Sequence, residues 1–104
     1  MRILFDQGVP APLRDFLSGH KVSTAHAQGW SALRNDELLA RAEKEFDALI
    51  TPARDLARQQ NAAALRLAIL VLPTASWLRI ERHTERIAMA VASLAASQYL
   101  ELRF

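Results

Sequence analysis

A chain of 104 residues is the size of one domain, and a domain of that size buries roughly two-thirds of the surface its unfolded chain exposes. Hydrophobic residues make up 51%, so a core forms without staples, and the absence of cysteine excludes a disulfide scaffold, thiol catalysis and a cysteine zinc site. The net charge of +2 does not by itself mark a nucleic-acid binder, and although only Lys21 and Lys44 are lysines among 13 basic residues, GC-rich codon usage accounts for that arginine excess ahead of phosphate recognition.

The chain opens on a strand pattern at 2–5, with no basic region leading into a long apolar stretch, so no signal peptide is expected. Together with the lack of cysteine this makes the cytoplasm the expected compartment. Val9, Leu13, Phe16 and Leu17 then recur at helical spacing, with Pro10 and Pro12 in the first turn, where a missing N–H costs little, and Gly19 at the C-cap. Residues 21–25 predict a second strand and 29–33 a loop carrying Trp30. Asn35 is the expected N-cap of a helix running to about Phe46, its buried stripe made by Leu38, Leu39, Ala42 and Phe46.

A third strand covers 47–51, and 54–61 read as a polar turn or short helix. The strongest strand pattern is 65–72, apolar on both faces as central parallel strands are, and closed by Pro73. Its apolar run is far short of the ~20 residues of a membrane span. Thr74 or Ser76 is positioned to cap the longest helix, with Trp77, Ile80, Ile87, Val91 and Leu94 on one stripe. Residues 98–104 alternate as a half-exposed edge strand. No repeat, low-complexity tract or linker divides the chain. The alternation predicts a single three-layer α/β sandwich over 1–104, with a mostly parallel central sheet of about five strands.

Three acidic positions fall where such a sheet gathers its ligands, at or beyond the carboxyl ends of its strands. Asp6 follows the first strand; its structural alternative is an ordinary turn aspartate. Asp36 and Glu37 open the second helix, where acids complement the macrodipole by ~0.3–1 kcal/mol each, and Glu37 is in register with Arg41 at i+4. Asp55 follows the third strand in a turn dense with Arg54, Arg58, Gln59, Gln60 and Asn61, side chains suited either to phosphate and sugar or to a solvated loop. Carboxylates gathered at one sheet edge suit a hard divalent cation, Mg²⁺ or Mn²⁺, that prefers oxygen ligands and keeps several waters. On the long helix Arg79, Arg82, His83 and Arg86 share a face that Glu81 and Glu85 dilute. Trp30 and Trp77 fit core or interface positions better than stacking platforms. No GxGxxG, Walker loop, GxSxG elbow or HExxH spacing occurs, which argues against dinucleotide binding, P-loop chemistry, serine hydrolysis and a zincin site.

Taken in order, Ile3-Leu4-Phe5-Asp6-Gln7-Gly8-Val9-Pro10, Gly29-Trp30, Asn35-Asp36-Glu37-Leu38-Leu39-Ala40, Leu49-Ile50-Thr51, Asp55-Leu56, Gln59-Gln60-Asn61 and Ile69-Leu70-Val71-Leu72-Pro73 before Trp77 resemble the short PIN-like family of bacterial proteins, relatives of the VapC-type toxin ribonucleases. The resemblance covers nearly the whole chain. It implies a PIN-like sandwich, Mg²⁺- or Mn²⁺-dependent hydrolysis of RNA, and the toxin role of a type II toxin–antitoxin pair. Members carry an acid at the end of the first strand, matched by Asp6, and a second opening the helix before the third strand, matched by Glu37 with Asp36 beside it. A Thr-X-Asp-X-(Asp/Asn) pattern then meets Thr51-Pro52-Ala53-Arg54-Asp55.

The resemblance thus implies catalytic roles for Asp6, Glu37 and Asp55, metal contacts from these and Asp36, and phosphate contacts from Arg54 or Arg58. Two departures stand out: the pattern's metal-binding aspartate falls on Ala53, and close members often carry Asn where Gly8 stands. Ala53 leaves a weakened nuclease, a pseudo-enzyme or a disarmed toxin open, and the alternative function is a non-catalytic PIN-like binding module acting through protein or RNA. A phospho-receiver needs an acidic pair after the first strand and a late lysine, and this chain has neither. The partners expected are RNA, a cognate antitoxin and a second copy of the chain. The last two would meet the edge strand 98–104 and the positive face of Arg79, Arg82 and Arg86.

Overall fold

Strand β1 (Arg2–Phe5) pairs with a parallel strand on each side, β2 (Lys21–Thr24) and β3 (Ala48–Thr51). The computed structural model describes residues 1–54 and 66–104. In these the sheet continues through β4 (Ala68–Val71) to β5 (Tyr99–Glu101), in the order β2-β1-β3-β4-β5 with every pair parallel. The expected α/β sandwich is present, and its sheet is wholly parallel. β3 and β4 are buried along their whole length, which is why their sequences, ALIT and AILV, carry almost no polar residue.

Side-chain alternation along the strands builds two cores. On one face Ile3, Phe5, Ile50 and Leu70 pack with Leu13 and Leu17, and with Ile80, Ile87 and Val91. Leu13 belongs to a 3-10 helix, η1 (Ala11–Phe16), with Leu17 at its C-cap, and the other three come from the segment α2 (Trp77–Ile80), η2 (Glu81–His83) and α3 (Thr84–Ala92). On the other face Leu4, Leu49, Ile69 and Val71 pack against Leu38, Leu39 and Ala42 of α1 (Asn35–Glu45), with Trp30 and Phe46 closing that core. Helices above and below one sheet give three layers, consistent with the PIN-like sandwich that the resemblance implies. Both the β2-to-β3 and the β4-to-β5 connections step the same way along the sheet, yet α1 and α3 lie on opposite faces. The two crossovers are therefore of opposite hand, against the strong general preference for the right-handed form. The gain is coverage: η1 alone is too short to shield Ile50 and Leu70.

Three local expectations are corrected. The segment after β1 winds as a 3-10 helix because Pro10 and Pro12 remove two donors, leaving i to i−3 bonds such as Leu13 N–H to the Pro10 carbonyl and Leu17 N–H to that of Arg14, both 3.1 Å. Asn35 is the first residue of α1 rather than its cap. Arg34 holds the N-cap backbone position, its carbonyl accepting from Leu38 N–H at 2.8 Å, and no side chain caps the helix. The long C-terminal helix is interrupted at His83, whose backbone leaves the helical region (φ −128, ψ 23). There the His83 ring stacks on Phe104 with centroids 4.3 Å apart, and the Arg79 guanidinium donates to the Phe104 carbonyl at 3.0 Å. The stripe of Ile80, Ile87 and Val91 survives the break because all three remain in one core. Among the described residues no helix is long and apolar enough to cross a membrane.

Candidate functional site

The order β2-β1-β3 creates a switch point: from β1 the chain leaves to one side over one face, then returns past it to β3 over the other. The crevice outside the carboxyl ends of β1 and β3 is where doubly wound sheets take their ligands. Asp6 and Thr51 stand there, one at the end of each strand. The Thr51 hydroxyl donates to Asp6 Oδ2 at 2.8 Å, and the Gln7 backbone N–H donates to Asp6 Oδ1 at 2.8 Å. Thr51 is the one fully buried polar residue among those described, and its oxygen also accepts from Ala53 N–H at 3.1 Å. The backbone is tied as well, Asp6 N–H donating to the Ile50 carbonyl at 3.0 Å.

An ionised carboxylate has about four acceptor sites, and these contacts use two. Asp6 is half-buried, held at both oxygens and beside a cleft of about 350 Å³. The cleft opens on the β2 side of Asp6, over Phe5, Val9 and Ala25, with Gln7 and His26 at its edge. A turn after β2 shapes that side: Thr24 Oγ1 accepts from Ala27 N–H at 3.0 Å, and Ala25 N–H donates to the Phe5 carbonyl at 2.8 Å.

The backbone at position 8 accounts for the glycine there. It adopts φ +92, and a Cβ built there would lie 3.1 Å from Pro52 Cγ, so the loops after β1 and β3 approach too closely for an unstrained side chain. Gly8→Ala is expected to destabilise the fold by about 1–2 kcal/mol, the cost of forcing an L-residue into that backbone region. Urea unfolding with an unchanged m-value is the check; equal stability would mean the two loops are free to part.

The other acidic positions behave differently. Asp36 and Glu37 sit exposed in the first turn of α1, as the macrodipole reading expects. Topology puts that turn at the same end of the sheet as Asp6, since α1 follows the carboxyl end of β2 and runs back to the start of β3. Asp36 Oδ1 lies 3.5 Å from Arg34 Nε, a surface pair with side chains 50% and 79% exposed, of a kind worth about 0–1 kcal/mol. No bond from Glu37 to Arg41 forms among the described residues. Ala53 is exposed one residue beyond Pro52, and Arg54 follows it, also exposed. Asp55, Arg58, Gln59, Gln60 and Asn61 lie outside the described residues. Among the described residues no three Asp, Glu or His side chains come together closely enough to hold a metal ion.

Sequence reasoning missed Thr51 as the anchor of Asp6, and Gln7 and His26 as edges of the cleft. The first had a readable signal: a hydroxyl ending an otherwise apolar strand must find a partner at the sheet's edge, and the neighbouring strand ends in Asp6. Trp30 and Trp77 are packing residues, as expected. Trp30 meets Phe46 edge-on at 6.0 Å and 87°, and Trp77 meets Phe16 at 6.0 Å. Comparison with family models, curated proteins and solved structures finds no match to this chain.

Proposed function

We propose that the chain is a PIN-like, metal-dependent ribonuclease acting at Asp6, in the toxin role of a type II toxin–antitoxin pair in the bacterial cytoplasm, with its activity reduced by Ala53. The observation that carries this reading is the Asp6 carboxylate, fixed at the switch point by Thr51 and Gln7 beside an open cleft. A carboxylate immobilised at both oxygens, with lone pairs to spare, is a prepared ligand for a hard cation.

Since no three acids gather among the described residues, Mg²⁺ or Mn²⁺ would be held not in an all-protein cage but through one or two carboxylates, waters and a substrate phosphate, the usual manner for Mg²⁺. Asp6 would be its main protein ligand, with Glu37, Asp36 and Asp55 the further acids. When bound, such an ion lowers the pKa of water and offsets charge on a phosphodiester in hydrolysis. The chain's own part is positional. Thr51 and Gln7 hold Asp6 at both oxygens, Pro52 lies close to Gly8 where the loops after β1 and β3 meet, and Arg54 is available to a flanking phosphate.

A second reading, a non-catalytic binding module acting through RNA or a protein partner, is favoured by Ala53, which brings no carboxylate to the position the family pattern gives its metal acid. On either reading the exposed Leu78 and Met89, beside Arg82 and Arg86, offer a mixed apolar and basic face to an antitoxin or a second copy.

Metal titration separates the two. For a site of millimolar Kd, metal at ten times Kd stabilises by about 1.4 kcal/mol, a rise in Tm of roughly 6–11 °C for a domain of this size. The nuclease reading expects that rise with Mn²⁺ and its loss in Asp6→Asn. No rise in the unmodified chain rejects the metal site and leaves the binding module.

A further inference from the structure

The cleft beside Asp6 has features that the nuclease chemistry does not use. Its floor is apolar and well packed: Phe5 is fully buried, and Ala25 and Val9 are only 2% and 9% exposed. Its volume of about 350 Å³ lies within the range of small-molecule clefts. Two side chains at its edge, the Gln7 amide and the His26 imidazole, make no hydrogen bond or ring contact to any described residue, and both residues are exposed. Elsewhere the aromatic rings are engaged: Trp30 with Phe46, Trp77 with Phe16, and His83 with Phe104.

We infer that this cleft takes one unstacked base of single-stranded RNA, with His26 against the face of the base and Gln7 reading its edge; this rests on the nuclease reading for the class of ligand. An apolar floor and a planar ring at the rim suit the flat π-face of any base, since single-stranded RNA is held chiefly by stacking on aromatic side chains and imidazoles. A primary amide presents a donor and an acceptor together and so matches the paired polar groups on a base edge. Position supplies the second argument. The cleft and the Asp6 carboxylate share a wall, so a base seated there brings its own ribose and phosphate to the carboxylate. The strand is thereby set in register for cleavage next to the captured base.

The test is binding without turnover. Isotope-labelled protein in EDTA is titrated with adenosine, cytidine, uridine, guanosine 5′-monophosphate and a mixed-sequence single-stranded RNA hexamer, following amide shifts. Saturable shifts confined to 6–9 and 24–28 are expected, with His26→Ala and Gln7→Ala each weakening the hexamer by about tenfold and Lys44→Ala leaving it unchanged. Both variants are at exposed positions, so an unchanged Tm is expected of each; Ala11→Phe, which narrows the cleft, should abolish binding. The inference is overturned if no nucleic-acid probe shifts those amides, if His26→Ala and Gln7→Ala bind as well as the parent, or if N-acetyltyrosinamide alone saturates the cleft. Cleavage assays keep the two proposals apart. Base capture without metal-dependent cleavage rejects the nuclease and leaves the cleft; cleavage that is indifferent to His26 and Gln7 does the reverse.

Discussion

Ala53→Asp is expected to raise metal-dependent RNA cleavage by at least ten- to a hundredfold, and Asp6→Asn to remove it. The first magnitude is the ~10–100-fold that even a supporting contact is worth at a metal site; a direct carboxylate should not be worth less. Position 53 is exposed and its N–H already bonds Thr51 Oγ1 at 3.1 Å, so an added carboxylate enters beside the Asp6–Thr51 pair without displacing core. The second substitution is chosen for what it keeps. Asparagine retains one oxygen for the fully buried Thr51 hydroxyl and gives up only the acceptor met by the exposed Gln7 N–H, whereas Asp6→Ala leaves that hydroxyl without its acceptor, at about 1–3 kcal/mol. Activity lost in Asp6→Asn at unchanged Tm is then a loss of charge and not of fold. Cleavage of a fluorescent single-stranded RNA in Mn²⁺, repeated in EDTA, is the measurement. Equal rates in the parent, Ala53→Asp and Asp6→Asn would end the metal mechanism and favour the binding module.

The strands were legible because burial on both faces writes itself plainly into composition. Residues 68–71 read AILV and are buried throughout, and the period-two alternation at the end of the chain does yield the edge strand β5. The stripe of Ile80, Ile87 and Val91 likewise survives as one core face. What failed was local conformation set by non-local partners. Nothing in the spacing of residues 76–94 announces a break at His83, where the ring meets Phe104, about twenty residues away in sequence and adjacent only after β5 has docked. The 3-10 winding of 11–16 was closer to readable, since paired prolines deny an α-helix its early donors.

The site divides in the same manner. Asp6 was identifiable because a carboxylate after a buried strand falls at a sheet edge by topology alone. Its pairing with Thr51 needs the neighbour relation of β1 and β3, which chain order does not state, since β2 comes between them in sequence. For Asp36 and Glu37 the macrodipole account is sufficient for what is observed: both are exposed on the first turn of α1. Gly8 shows why a family comparison alone misleads. Its lack of a side chain reads as a lost polar group, whereas that side chain's first carbon would lie only 3.1 Å from Pro52 Cγ on a backbone of φ +92.

Trp30→Ala is expected to be the most damaging single change to stability, at about 3–5 kcal/mol, the usual cost of truncating a buried aromatic residue. Against a total of about 5–15 kcal/mol for a domain, that is a large share. Trp30 is 8% exposed and packs in the core that α1 forms with the sheet, edge-on to Phe46. Its backbone N–H donates to the Ala25 carbonyl at 2.8 Å and closes the turn that begins at Thr24, while the ring shares one core with Ala25 and so supports that turn from beneath. That turn carries Ala25 and His26, one wall of the cleft beside Asp6. Loss of the indole should therefore act twice: a fall in urea midpoint, and a loosening of the cleft wall that weakens RNA binding in the molecules still folded. Trp30→Phe keeps an edge-on partner for Phe46 and should recover more than half of the stability. A surface stacking platform behaves in the opposite sense, losing RNA affinity at unchanged stability, so Trp30→Ala with an unchanged urea midpoint would overturn the core assignment.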